Sequence, residues 1–106
     1  MTKKRLSQIK KRISKIKAQL CLIEEMRPGS LTSQYKNPKD QTGRYYQLSY
    51  TLDMKSRTDY IPKDSVEDIR REIKNYKKFK DMVNEWVHLG IEQSKLKLKL
   101  TSRQKK

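Results

Sequence analysis

The chain has 106 residues, the length of one domain, and carries 27 Lys and Arg against 12 Asp and Glu, a formal net charge of +15. Only 33% of the residues are apolar, which excludes a thick globular core but suffices for one helix packed on another beside a small sheet. The single cysteine, Cys21, excludes an intramolecular disulfide and fits a reducing, cytoplasmic setting. We expect no signal peptide, because Lys3-Lys4-Arg5 leads into an amphipathic pattern and not an apolar run. We expect no membrane span, because no stretch approaches roughly 18 consecutive apolar residues.

The positive charge is spread along the sequence, with a net +6 over residues 1–26, +3 over residues 27–62 and +6 over residues 63–106. An excess in every segment repels itself unless a polyanion neutralises it. Nucleic acid is therefore the predicted partner, since binding a phosphate backbone releases its counterions. An anionic membrane is the rival that we disfavour, because the apolar stripe of the first helix lacks the Trp and Phe that anchor interfacial helices.

Residues 1–26 predict a basic helix with a heptad pattern. Its apolar positions alternate three and four residues apart, and all are Leu or Ile: Leu6, Ile9, Ile13, Ile16, Leu20 and Ile23. Such a stripe must be buried, either on the chain's own second helix or on another copy or protein, so it is also the predicted site for a protein partner or a homodimer. The helix is expected to end at Arg27-Pro28-Gly29.

Residues 27–62 predict three short strands, at Leu31–Lys36, Arg44–Leu52 and Ser56–Ile61, which form an antiparallel meander. The central strand alternates most clearly. Its predicted core side carries Tyr46, Leu48 and Tyr50, and its opposite side carries Tyr45, Gln47, Ser49 and Thr51.

Residues 63–97 predict a long amphipathic helix, capped by Asp64 or Ser65 and ending near Lys95, and residues 98–106 predict a disordered basic tail. The expected fold is one α+β domain: a long N-terminal helix, a three-stranded antiparallel meander and a long C-terminal helix. The two helices are expected to pair antiparallel.

Several short motifs occur in one order: Met26-Arg27-Pro28-Gly29-Ser30-Leu31, Gly43-Arg44-Tyr45-Tyr46, Tyr60-Ile61-Pro62 and Tyr76-Lys77-Lys78-Phe79. Over roughly residues 26–95 the chain resembles a family of short, uncharacterised prokaryotic proteins that are often encoded near phage and mobile-element genes. Many members carry a cysteine-rich insertion between the first two strands, which suggests a metal site. Residues 37–42 stand there in this chain and contain no cysteine, so the resemblance implies no metal here.

Three groups of residues are candidate nucleic-acid contacts, because Lys and Arg bind phosphates while Arg, Gln and Tyr also reach base edges or stack on bases. The first-helix group is Lys3, Lys4, Arg5, Lys10, Lys11 and Arg12. The hairpin group is Lys36, Lys39, Arg44, Tyr45, Gln47, Lys55 and Arg57. The second-helix group, on one helical face, is Arg70, Lys74, Lys77 and Lys78.

These features predict a non-catalytic nucleic-acid-binding accessory protein, and the resemblance implies that it acts in a recombination, mobile-element or phage nucleoprotein complex. We expect no catalytic residue, metal or cofactor. DNA is favoured over RNA because the order of elements resembles the sheet-plus-helix arm domains of tyrosine recombinases, a likeness of order alone. The alternatives are a coiled-coil assembly or adaptor protein, an RNA-binding subunit of a ribonucleoprotein, and a small nuclease holding Mg²⁺ at Asp64, Glu67 and Asp68.

Overall fold

The computed structural model describes residues 2–104, and the side chains of residues 2–101. The elements in chain order are helix α1 (Thr2–Cys21), strands β1 (Ser30–Asn37), β2 (Thr42–Leu52) and β3 (Lys55–Ile61), a 3-10 turn at Lys63–Ser65, and helix α2 (Val66–Gln104). They form two compact units. The helical unit comprises Met1–Ile23 and Lys78–Lys106, and the sheet unit comprises Glu24–Lys77, so α2 contributes residues to both.

The helical unit is an antiparallel pair formed by α1 and the C-terminal part of α2. Arg5 pairs with Glu92 and Arg12 pairs with Glu85, so residue numbers fall along α2 as they rise along α1. The predicted antiparallel pairing is thereby confirmed. Of the heptad stripe, the central three residues Ile9, Ile13 and Ile16 are buried within the chain itself, and the outer three are half-buried.

Helix α1 ends at Cys21, so the predicted end at residue 26 is wrong. The N–H groups of Leu22 and Ile23 donate to the carbonyls of Gln19 and Leu20 at 3.1 and 3.2 Å, which tightens the last turn into 3-10 geometry. Within the sheet unit the following segment is tied to α2, because the Arg27 N–H donates to the Glu72 carbonyl at 3.1 Å. Pro28 disfavours helical geometry at Arg27, but α1 has already ended at Cys21.

The sheet is the predicted antiparallel meander, in the order β1-β2-β3. Strands β2 and β3 are joined by Asp53 and Met54, whose φ angles of 53° and 66° are those of a two-residue type I′ turn. Gln41, the last residue of the turn between β1 and β2, has φ 53°, and Gly43, the second residue of β2, has φ 69°. The type I′ turn between β2 and β3 matches the right-handed twist of the paired strands.

The core of the sheet unit lies between one face of the sheet and the first turns of α2. Leu48 and Ile61 of the sheet and Val66 and Ile69 of α2 are buried. The residues packed around them are Leu31, Tyr46, Tyr50 and Ile73, which confirms the predicted core side of β2. Gly29, at φ 133°, lies so close to this core that a Cβ atom there would come within 2.8 Å of Leu48.

Helix α2 continues to Gln104, beyond the end predicted near residues 95–97. Leu96 and Leu100 are half-buried, and they extend the three-and-four spacing of Trp86, Leu89 and Gln93. The alternation of Lys and Leu from residue 95 to residue 100 is therefore part of a helix. The predicted disordered tail overlaps this helix from residue 98 onward, and its last two residues, 105 and 106, lie outside the described residues.

Candidate nucleic-acid interface

The net charge of the chain is concentrated in the helical unit. Residues 1–23 and 78–106 contain 16 Lys and Arg against 3 Asp and Glu, a net charge of +13. The sheet unit, residues 24–77, contains 11 basic and 9 acidic residues, a net charge of +2. A polyanion is consequently attracted to the helical unit far more strongly than to the sheet unit.

Two of the predicted first-helix contacts are engaged in ion pairs between the helices. Arg5 donates through Nε and Nη2 to the Glu92 carboxylate at 2.6 and 2.9 Å, and Arg12 donates in the same way to Glu85 at 2.5 and 2.8 Å. These hydrogen bonds raise the pKa of both arginines and lower the pKa of both glutamates. The two arginines are thus held by carboxylates and not presented as unpaired cations.

The lysines of the same group remain exposed. Lys3 and Lys10 are seven residues apart, as are Lys4 and Lys11, so the four form two parallel rows along the exposed side of α1. In the part of the chain that the structure describes, none of the four side chains has a hydrogen bond or an ion pair. They therefore give α1 an uncompensated row of positive charge.

Lys17 extends one of these rows by a further heptad, and sequence reasoning did not select it. Its Nζ lies 5.4 Å from the ring centroid of Trp86, within the range of a cation–π contact. Trp86 itself is half-buried. The seven-residue spacing from Lys10 would have been enough to group Lys17 with Lys3 and Lys10.

The hairpin group does not form one surface. Register pairs Arg57 with Tyr50 and Lys55 with Leu52, so these cations share the face of the sheet that carries Leu48. Arg44 shares that face too, and its guanidinium lies 5.2 Å from the Tyr46 ring centroid. Tyr45 and Gln47 belong to the opposite face, so they are separated from these three cations by the sheet.

The outer face of the sheet is polar and almost uncharged. It is made of Ser30, Thr32, Gln34, Lys36, Tyr45, Gln47, Ser49, Thr51, Ser56, Thr58 and Tyr60. The Tyr45 hydroxyl donates to Oε1 of Gln34 at 3.0 Å, and Tyr60 is 67% exposed. Such a face can contact base edges or stack on bases, but only Lys36 can neutralise a phosphate there. Lys39 lies in the exposed turn beyond β1.

Arg27 is a structural cation that the sequence did not single out. It forms an ion pair with Asp59, and its guanidinium lies 5.0 Å from the ring centroid of Tyr50. The Arg27 guanidinium thus contacts both a carboxylate and an aromatic ring of the sheet unit. Its role is therefore to hold the segment before β1 against the sheet.

The second-helix group is divided between the two units, with Arg70, Lys74 and Lys77 in the sheet unit and Lys78 in the helical unit. All four belong to α2, and Arg70 and Lys74 lie one turn apart on it. Arg70 pairs with Glu67 across one turn at 3.7 Å, a long contact between exposed groups. The group is therefore not one surface of a single compact unit.

An acidic groove lies on the sheet unit beside this helical segment. Its volume is about 260 Å³, and it is lined by Glu24, Glu25, Asp68, Arg71, Glu72 and Asn75. Arg71 is paired with Asp68 at 2.7 Å, and Asn75 donates to the carbonyl of Glu25 at 2.9 Å. Four carboxylates against one arginine repel phosphates from this side of the unit.

Among the described residues, no group of three or more His, Cys, Asp and Glu is arranged to hold a metal ion. The three carboxylates of the nuclease alternative, Asp64, Glu67 and Asp68, thus form no such cluster. Neither α1 nor the described length of α2 is long and apolar enough to cross a membrane.

The fold and its charges define a class, a small basic helix–sheet–helix protein with a highly charged helical pair. The chain belongs to the family described as a domain of unknown function (DUF6788), whose model matches residues 1–71. The match covers α1, the whole sheet and the first turn of α2, whereas the resemblance noted from the motifs spans residues 26–95. No curated protein and no solved structure matches the chain.

Proposed function

We propose that this protein is a non-catalytic nucleic-acid-binding protein whose helical unit contacts the phosphate backbone. The observation that carries the proposal is the net charge of +13 on that unit against +2 on the sheet unit. Charge of that density, with the arginines of α1 already paired and its lysines exposed, costs folding free energy through self-repulsion unless a polyanion neutralises it.

The lysine rows of α1 are suited to phosphates and not to bases. A lysine ammonium is a flexible point charge that contacts phosphate without reading sequence. From Lys3 to Lys11 the helix rises by about 12 Å, which is enough to follow several consecutive phosphates. The binding contributed by this unit is accordingly strong, sensitive to salt and independent of sequence.

Base contacts, where they occur, fall to the outer face of the sheet. Gln34 and Gln47 carry the side-chain amide that can bind an adenine edge bidentately, and Tyr45 and Tyr60 offer aromatic rings. DNA is the first candidate, because β-sheets are known readers of the grooves of duplex DNA. The resemblance of residues 26–95 to proteins encoded near phage and mobile-element genes supports an accessory role in such a nucleoprotein complex.

The direct test is fluorescence anisotropy of the full chain with labelled duplex DNA, single-stranded DNA and structured RNA, at salt concentrations from about 50 to about 200 mM. We expect tight binding whose affinity falls steeply with salt. Changing the four α1 lysines to Gln (Lys3, Lys4, Lys10 and Lys11) should reduce the slope of log K against log salt by up to about 3.6, at about 0.9 for each phosphate that is no longer neutralised.

A matched variant changes four exposed lysines of the sheet unit to Gln: Lys36, Lys39, Lys55 and Lys63. It removes the same amount of charge, and we expect a much smaller change in slope. Equal effects of the two variants would mean that only total charge matters, and that the helical unit is not the binding surface. Absence of binding to all three ligands at the lowest salt concentration would refute the proposed function.

A further inference from the structure

Helix α2 carries a second apolar stripe, which the described residues of the chain leave more than half exposed. Val87, Ile91 and Leu98 are 53%, 51% and 66% exposed. Because they are four and seven residues apart, they lie on one side of the helix. Trp86 and Leu89 belong to a different row of α2, which is half-buried.

A groove runs beside this stripe. It has a volume of about 270 Å³ and is lined by Gly90, Gln93, Ser94, Lys97, Leu98 and Thr101. A Cβ atom built on Gly90 would meet nothing within 4 Å, so the glycine is not required by packing within the described chain. A glycine inside a helix is nevertheless unfavourable. Because Gly90 has no side chain, another backbone can come close to α2 at this groove.

The charges around the C-terminal end of the stripe have one sign. Lys95, Lys97 and Lys99 surround Leu98, and the chain contains no Asp or Glu after Glu92. A second copy of this chain would bring another helical unit of net charge +13 against the first. Three half-exposed aliphatic side chains offer roughly 300 Å² per partner, at about 100 Å² each, against the roughly 800 Å² per partner of a standard stable interface.

We infer that this stripe binds an acidic amphipathic helix of another protein. Such a helix would lay its apolar residues on Val87, Ile91 and Leu98 and would bring carboxylates to the lysines around Leu98. Apolar contact and charge complementarity then act together, whereas neither suffices alone. The inference goes beyond nucleic-acid binding, since it concerns a different face of the helical unit.

The probes are three synthetic helical peptides of equal length. The first has Leu at positions spaced four, three and four apart with Glu on both flanks, the second has Ala for Leu, and the third has Gln for Glu. Binding of each labelled peptide to the full chain is measured by anisotropy at near-physiological salt. We expect the first peptide to bind at least about tenfold more tightly than either of the others.

The double variant Ile91→Gln with Leu98→Gln should weaken binding of the first peptide about tenfold or more, while it retains the charge and the helical propensity of α2. Its control is Leu52→Gln with Met54→Gln, which removes two exposed apolar side chains from the sheet unit and should change nothing. Nucleic-acid affinity, measured on the same preparations, is expected to stay unchanged in both variants.

Three results would overturn the inference. Equal affinity of the Ala peptide and the Leu peptide would mean that charge alone attracts acidic helices. A decrease in affinity in the Leu52 and Met54 variant equal to that in the stripe variant would remove the stripe as the site. A wild-type mass in solution twice that of the stripe variant would make a second copy the occupant. If the wild-type chain binds the peptide but no nucleic acid, the inference stands and the proposed function fails.

Discussion

Releasing the two paired arginines of α1 tests whether the ion pairs of the helical unit limit the proposed binding of nucleic acid. Arg5 and Arg12 each donate two hydrogen bonds to one carboxylate, Glu92 or Glu85. The double change Glu85→Gln with Glu92→Gln keeps the size and helical propensity of both side chains but removes both negative charges. The net charge of the helical unit rises from +13 to +15, and two guanidinium groups become available to phosphates.

The expected magnitude follows from counterion release. Each additional phosphate contact steepens the slope of log K against log salt by about 0.9, so two contacts steepen it by up to about 1.8. The ratio of the affinity of the variant to that of the wild-type chain should therefore be about tenfold larger at about 50 mM salt than at about 200 mM salt. The pairs are exposed, so we expect α2 to remain helical by circular dichroism.

The assay is a salt titration by anisotropy, with a control of matched charge in the sheet unit. The change Glu67→Gln with Asp68→Asn also raises the net charge by two, because it removes two carboxylates. It also releases Arg70 and Arg71 from ion pairs across one helical turn. We expect its slope to change much less. An equal change in both variants, or a shallower slope in the first, would refute the reasoning that phosphates bind the helical unit.

Two further predictions concern stability. The arginine hydrogen bonds lower the pKa of Glu85 and Glu92 below the ordinary value of 4.5 in the folded chain. The stabilisation from these pairs is therefore complete above that pH and is lost as the pH falls through the lowered values. The melting temperature of the wild-type chain should consequently fall more steeply in acid than that of the double variant Glu85→Gln with Glu92→Gln. Gly29→Ala should lower the free energy of unfolding by about 1–3 kcal/mol, because φ is 133° and the new Cβ meets Leu48, whereas Gly90→Ala should raise it by about 0.5–1 kcal/mol. Urea denaturation measures both glycine variants, and effects of the same sign would contradict the packing at one of the two glycines.

Periodicity predicted the elements of the fold because burial imposes it. The stripe from Leu6 to Ile23 and the alternation from Arg44 to Leu52 each have one period, and each element buries the expected side. The ends of the helices were less predictable. Pro28 limits α1 without ending it, and Leu100 extends α2 because the half-buried row continues past residue 95.

The candidate interface was predicted less well, since consecutive segments of sequence are not the units of the fold. Residues 63–106 have a net charge of +6, but the carboxylates of that segment are concentrated before Lys78 and most of its lysines come at or after it. The net charges of +13 for the helical unit and +2 for the sheet unit appear only when α2 is divided at Lys78, and no local sequence pattern marks that division. By contrast, Arg44 and Tyr45 could have been assigned to opposite faces from strand alternation alone.

The heptad of α1 also decides which kind of cation takes which role. Lys3-Lys4-Arg5 and Lys10-Lys11-Arg12 look like two equivalent basic clusters, and they are seven residues apart. Because of that spacing, both arginines lie at the edge of the interface with α2, where the planar guanidinium matches a carboxylate bidentately. The lysines turn outward, where a strongly hydrated point charge is suited to phosphate. One repeat therefore divides the positive charge of α1 between the ion pairs of the helical pair and the exposed lysines on which the proposed nucleic-acid binding rests.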